Sequence, residues 1–395
     1  MKSRTSDGIL SAPKPALLNL LIENGGQTIA ELSKSMGVSI PYTTKTLNEL
    51  IEAGFVQMTG KRDNSPRRAP RVYDVVASSG YFLGIDTGHD RLNLGICDFG
   101  GNMVSTRTKI PFDLEDTPEC FESLVGVIGS YVDESGVPRG MIRYACMDVG
   151  GRVNPGKGTA HNYFTTLGRP LAAALTERLG IRSCVDNDTR CMAYGELLSG
   201  CCKGLRNVVF VNVSWGLGIG IVIDGRLYFG KSGYSGEMGH MHIYNNGILC
   251  HCGKMGCMET ETSGSALVRK TLKRLADGGI SVLSGKTGGT TLQDILDAIA
   301  REDVLCIEAL QEVATELGGN LAGIINVFNP EMLVIGGDLS VTGDYLTQPI
   351  RMGVKKFSLN MVNEDSQIVT STLTDSAGLV GACLMARSKT LETQH

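Results

Sequence analysis

The segment from Gly236 to Glu259 constrains this chain more than any other. It reads Gly-Glu-Met-Gly-His-Met-His-Ile, then a short link, then Cys250-His-Cys-Gly-Lys-Met-Gly-Cys257-Met-Glu. Three of the twelve cysteines fall within eight residues, and His240 stands ten residues before Cys250. Three thiolates and one imidazole at such spacing can close round a single ion, the ligand set of a structural zinc site. Gly253 and Gly256 supply the positive-φ turns that fold Cys250, Cys252 and Cys257 onto one point. His242 and His251 are rival ligands. His242 is expected on the same strand face as His240, and His251 sits between two candidate cysteines, so both read more simply as polar loop or surface residues. A tight loop with incidental free thiols stands as the alternative to zinc.

The other nine cysteines are scattered, without the spacing of a disulfide framework, which suits reduced core thiols. No apolar run approaches the ~18 residues of a membrane span, and Met1-Lys-Ser-Arg lacks the apolar segment of a signal peptide, so a cytoplasmic protein is expected. The net charge of −4 is unevenly spread: residues 1–77 hold ten Lys and Arg against seven Asp and Glu, which leaves −7 for the remainder. A basic amino-terminal piece on an acidic body points to an anionic polymer as partner of the first part only.

That first part has its own architecture. Leucines at helical spacing in 15–24 stop at Gly25-Gly26; Thr28-Ile-Ala-Glu31 is a capping box that starts a second helix closed by Gly37; Ser39 caps a third, with Pro41 in its first turn, running to Gly54. Helix, short turn, helix is the helix-turn-helix pattern. Phe55–Met58 and Arg71–Val76 then alternate like the two strands of a wing, joined by a basic tip with Arg67 and Arg68. A winged helix placed on DNA would present Tyr42, Thr43, Thr44 and Lys45 to the major groove and the wing arginines to phosphate or the minor groove. The alternative is a small helical interaction domain with a solvated basic loop.

Beyond a small-residue linker, Ala77–Gly80, strands are expected at 81–86, 93–97, 103–111, 144–149, 184–188, 208–213, 218–223 and 332–335. Helices are expected at 121–132, 171–179, 192–198, 306–328 and 377–388. Strand triplets mixed with helices in two halves predict a two-lobed α/β body with mixed sheets. Asp186-Asn187-Asp188 closes a strand, where α/β sheets hold ligands, although an Asx-rich helix cap explains the same residues. Gly216-Leu-Gly218-Ile-Gly220 precedes a strand and no helix, so it is not a dinucleotide fingerprint.

His, nine residues, then Cys-x-Cys-Gly-x-x-Gly-Cys-x-Glu resembles the signature of the ROK family of sugar kinases and sugar-responsive repressors. The resemblance implies an actin-like, ribonuclease-H-like body over 80–390 with the zinc loop (236–259) inserted, behind a winged helix-turn-helix domain at 1–77. It implies that Glu237, His240 and Glu259 face a bound sugar, and that Asn187 and Asp188 match the Asn-Asp pair that holds the sugar and supplies the catalytic base in family kinases. Gly151, Arg152 and Asn162 match loops lining the sugar pocket. Arg190 departs from the pattern, where a small or amide residue is usual, and Ser65-Pro-Arg67-Arg68 keeps the wing's arginine pair without its leading glycines. Asp86-Thr-Gly-His89-Asp90-Arg resembles the kinase phosphate loop only in outline: His89 and Asp90 add bulk and negative charge where phosphates would lie. The repressor branch is therefore expected, with operator DNA and a sugar or sugar phosphate effector as partners, a homodimer or homotetramer as assembly, zinc as cofactor and Asp188 as a vestige. An ATP-dependent sugar kinase with an amino-terminal extension is the alternative.

Overall fold

The structure, a computed structural model, describes residues 13–61, 69–286 and 289–392. The chain divides into two compact units: residues 1–149, 158–185 and 382–395 form the first, and 150–157 with 186–381 form the second.

The first unit begins with three helices, Lys14–Asn24, Ile29–Met36 and Ile40–Glu52. Thr28 and Glu31 make the expected reciprocal cap, with the Thr28 amide donating to Glu31 Oε2 at 2.9 Å, and Gly37 closes the second helix at φ 66°. Ser39 occupies the cap position of the third helix, but its side chain makes no capping bond. Strands Val56–Lys61 and Arg71–Val75 pair antiparallel as the wing. A strand that sequence reasoning missed, Gln27–Thr28, joins Arg71–Val75 as the third. Leu17, Leu18, Leu21, Leu32, Leu47, Leu50 and Tyr73 fill the core between helices and wing. Burying each leucine is worth roughly 1.5–3 kcal/mol, which is how a domain this small holds its shape.

The expected small-residue linker holds a docked turn, Ala77–Ser79. Val76 donates to the Phe55 carbonyl and Phe99 to the Ala77 carbonyl, at 2.8 and 2.9 Å. The Phe55 ring lies 5.5 Å from the Phe99 ring, and the Arg143 guanidinium sits 4.9 Å over it. The winged helix is thus seated on the sheet that follows, whose order is Ser183–Asn187, Ile142–Val149, Tyr81–Thr87, Arg91–Asp98, Met103–Pro111.

The second unit repeats that plan. Val208–Val213 pairs antiparallel with Leu217–Ile223 and parallel with Met332–Gly336, which pairs parallel with Gln367–Thr370. Beneath this sheet the helix Val304–Phe328 buries Leu310, Val313, Leu317, Leu321 and Ile325 against Leu333, Ile335, Leu346 and Ile350. The helix Asp344–Phe357 crosses it at a glycine contact, where a Cβ on Gly353 would come within 2.9 Å of the Gly318 Cα. Two mixed sheets, each with an antiparallel hairpin and a parallel continuation, make the two-lobed α/β body that the strand triplets predict. The helices Gly264–Ala276, Leu292–Ala300 and Asp344–Phe357 were not anticipated. Among the described residues, no helix is long and apolar enough to cross a membrane.

Candidate functional site

One hairpin of the second unit, Val208–Val213 and Leu217–Ile223, gathers most of the expected site residues. Gly236 accepts a hydrogen bond from the Ile219 amide at 3.1 Å, which hangs the Glu237 turn on the hairpin's second strand. Ser214 and Trp215 accept from the Gly264 and Ser265 amides at 2.7 and 3.0 Å, so the short helix Glu259–Thr262 is brought alongside. The missing Cβ of Gly216 would sit 3.4 Å from Glu259 Oε2. From the hairpin's first strand Asn212 Nδ2 reaches the helix Asp188–Ser199, donating to Thr189 Oγ1 at 3.0 Å and lying 3.5 Å from Asp188 Oδ2.

Within the loop, Gly253 and Gly256 take φ values of 86° and 73°, the turns expected of them. The ligand atoms of His240, Cys250, Cys252 and Cys257 all lie within 4.8 Å of one another. Cys252 and Cys257 sulfurs are 3.6 Å apart, and Cys250 Sγ is 3.6 Å from His240 Nδ1. A tetrahedral zinc with ordinary Zn–S and Zn–N bonds has edges of about 3.6–3.8 Å, which the Cys252–Cys257 and Cys250–His240 separations match, so the residues present fit the ion. Cys250 and Cys257 are buried. Burial and the neighbouring Glu259 push the Cys250 thiol far above its ordinary value, and it donates to Glu259 Oε1 at 2.8 Å. A bound cation would reverse that preference by favouring the thiolate.

His242 is not on a strand face with His240, because His240 belongs to the tight turn Met238–His240. The His242 ring instead meets the Met255 carbonyl at 3.1 Å, outside the ligand cluster. His251 is more engaged than a surface residue: its Nδ1 lies 2.9 Å from Glu259 Oε1, and its ring stands edge-on to His240 at 5.3 Å. His240, His251 and Glu259 form a second group close enough to share an ion. Burial opposes ionisation of Glu259, yet its hydrogen bonds from His251 and Cys250 hold it below the ordinary carboxylate range. The Glu259 bond raises His251 in return, while burial and the Arg152 charge pull it down.

His240 faces both ways. Its Nδ1 points to Cys250, and its Nε2 lies 3.7 Å from Glu237 Oε2. Asn187 takes the helix-cap role left open above, with Oδ1 accepting from Arg190 N at 3.1 Å and Nδ2 donating to the Gly151 carbonyl at 3.0 Å. Gly151 and Arg152 therefore join Asn187, Asp188, Glu237, His240 and Glu259 in the second unit. Asn162 is exposed and belongs to the first unit. Asp186 is not available to a ligand, since it is buried and bonded to Arg190 Nε at 2.6 Å. Thr189 and Asn212 were missed, although Asn212 is the single polar residue in Val-Val-Phe-Val-Asn-Val and could have been flagged.

In the first unit the third helix exposes Tyr42 and Lys45, with Thr44 half-buried. Thr43 is corrected: it is fully buried, and its hydroxyl donates to the Ser39 carbonyl at 3.2 Å. Thr43→Val should leave any DNA sequence preference unchanged and shift stability by no more than ~1.5 kcal/mol, whereas Lys45→Ala should weaken DNA binding at unchanged stability. Binding and thermal unfolding of both variants check this. Arg67 and Arg68 lie outside the described residues.

In the phosphate-loop region the Gly88 amide is bonded to the Arg91 carbonyl at 2.8 Å, Asp90 is exposed, and Asp86 accepts from Asn93 at 2.8 Å.

Residues 82–389 match the ROK family, and residues 14–57 match a winged helix-turn-helix DNA-binding domain. The chain is similar to the xylose repressor of Bacillus subtilis, 27% identical, with 92% of each chain covered. It is also similar to a glucokinase of Streptomyces coelicolor, 31% identical over 98% of that protein but only 78% of this chain. Among solved structures, a ROK family transcriptional regulator, a homologue of the E. coli MLC protein, aligns at a TM-score of 0.79 and 26% identity, over 96% of this chain and 95% of its own.

Proposed function

This chain belongs to the ROK family, and on that premise we propose that it is a sugar-responsive DNA-binding transcriptional regulator, a repressor that a sugar or sugar phosphate releases from its operator. One observation carries the reading: a winged helix-turn-helix at residues 14–57 precedes a ROK body in the same chain. The repressor relative aligns along both parts, and the glucokinase relative leaves much of this chain uncovered. Selection of duplexes from a random-sequence pool tests it. The protein should enrich a near-palindromic site read by two copies, and a Lys45→Ala variant should enrich it less. Enrichment of no sequence would remove the DNA-binding half of the reading.

In the sugar-binding half, Glu237, Glu259 and Asp188 accept from paired hydroxyls, while Asn187 holds the Gly151 loop. His240, Cys250, Cys252 and Cys257 would hold zinc, which braces the turn that presents His240 Nε2 and Glu237. The protein works as a homodimer or homotetramer in the cytoplasm, because one winged helix reads too few base pairs for useful specificity.

Phosphoryl transfer is not part of this function. A phosphate cradle needs free backbone amides and no competing negative charge, and here the Gly88 amide is spent on the Arg91 carbonyl while Asp90 occupies the turn. With ATP and common hexoses, pentoses and amino sugars, turnover should stay well below the ~1–100 s⁻¹ of ordinary kinases. Turnover inside that range, lost in Asp188→Asn, would instead support the kinase alternative.

A further inference from the structure

Arg190 stands where the sequence pattern calls for a small or amide residue, and the structure gives it a definite task. It is 2% exposed. Its Nε donates to Asp186 Oδ1 at 2.6 Å, Nη1 to the Gly233 carbonyl at 2.6 Å and Nη2 to the Val153 carbonyl at 3.4 Å, and its guanidinium lies 5.4 Å over the Phe229 ring. One planar fork thus ties together a strand end, the 229–233 turn and the 150–157 segment. Residues 150–157 belong to the second unit although the chain on either side of them belongs to the first. Gly233, at φ 84°, packs so closely on Pro155 and the Val153 carbonyl that a Cβ would collide with both.

The 150–157 segment carries Gly151, which accepts from Asn187, and Arg152, whose charge is felt at His251. Asn187 in turn caps the helix on which Arg190 sits. We propose that Arg190 is a positioning residue for the effector site: it tethers residues 150–157 to the second unit, and so holds Gly151 and Arg152 in register with Asn187, Asp188 and Glu259. This rests on the reading of that site as the place where a sugar binds. Lysine cannot substitute, because a single ammonium cannot serve a carboxylate and two separate carbonyls in one plane. Removing the guanidinium outright leaves Asp186 buried without its counter-charge and takes a donor from the Gly233 and Val153 carbonyls.

The experiment compares the full-length zinc-loaded protein with Arg190→Lys, Arg190→Gln and the double variant Asp186→Asn/Arg190→Gln, which removes both charges and so guards against simple failure to fold. Hydrogen exchange over residues 150–157 should accelerate roughly tenfold or more in Arg190→Gln and in the double variant. Calorimetric titration with D-glucose, D-xylose and N-acetylglucosamine should show about tenfold weaker binding of whichever sugar the wild type takes. Arg190→Lys should recover thermal stability without recovering sugar affinity, which separates positioning from mere support of the fold. Zinc content and exchange across residues 14–57 should not change. Unchanged protection of 150–157 in the double variant would overturn the tether, and full sugar affinity beside lost protection would overturn the positioning role. Failure of the wild type to bind any of the three sugars would count against the effector site itself, and the positioning role would fall with it whatever the exchange shows.

Discussion

Cys257→Ser is expected to reduce bound zinc far below one ion per chain after a chelator wash and to lower the unfolding temperature, while the wild type keeps its ion. In small zinc peptides the metal supplies an apparent ~10–16 kcal/mol, so a loop whose backbone turns on two positive-φ glycines should lose most of its order without it. Cys257 is buried and its sulfur lies 3.6 Å from Cys252 Sγ, so a hydroxyl there cannot keep the same bond to the ion. Loss should extend past the loop: with its Nδ1 unanchored, His240 no longer presents Nε2 beside Glu237, and sugar binding should weaken as well. Hydrogen exchange over 236–259 separates a local from a global effect. Retention of one zinc by the variant at wild-type stability would show that the cluster is a loop of free thiols.

The second large effect falls on the carboxylates. Glu237→Ala and Asp188→Ala should each cut sugar-induced thermal stabilisation by half or more while leaving zinc content and fold intact. Hydrogen bonds to charged groups are worth ~1.5–3 kcal/mol, so each loss weakens binding roughly 10- to 150-fold. A sugar at a hundred times its wild-type Kd stabilises by about 2.7 kcal/mol; about 1.4 kcal/mol of that survives a tenfold loss of affinity and about 0.3 kcal/mol a 150-fold loss. Asp188 offers the sharper test, because its Oδ1 accepts from Asn187 Nδ2 and Thr189 N, both at 2.7 Å, while its Oδ2 lies 3.5 Å from Asn212 Nδ2. Wild-type stabilisation in both variants would place the effector elsewhere.

Much of this arrangement is written in local signals. The Thr28–Glu31 box, the Gly37 cap and the glycines of the cysteine loop are decided by nearest neighbours, and each forms as its residues predict. The long helix Val304–Phe328 is likewise announced by its apolar period. What the residues could not reveal depends on distant partners. Thr43 looks like a polar residue on a recognition helix, but it turns inward because Leu47 and Leu50 fix which face packs on the domain core. Arg190 reads only as a departure from the family pattern, and the loops that return at Val153 and Gly233 make it a buried tether. The helix Asp344–Phe357 escaped notice since Pro349 interrupts its pattern. The two faces of His240 could not be separated on paper, because both the metal and the sugar expectation used the same imidazole.

In the proposed regulator, sugar binding in the body governs DNA binding by the winged helix. Sites in different domains influence each other only through a reciprocal coupling free energy, commonly ~1–3 kcal/mol, or about 5- to 150-fold in affinity. The direct measurement is an operator titration with the selected duplex at fixed salt, with and without a saturating sugar that is shown calorimetrically to bind. The sugar should weaken operator affinity within that range, and the same sugar should have no effect in Glu237→Ala. Identical operator affinities with and without every sugar that binds the wild type would contradict that coupling.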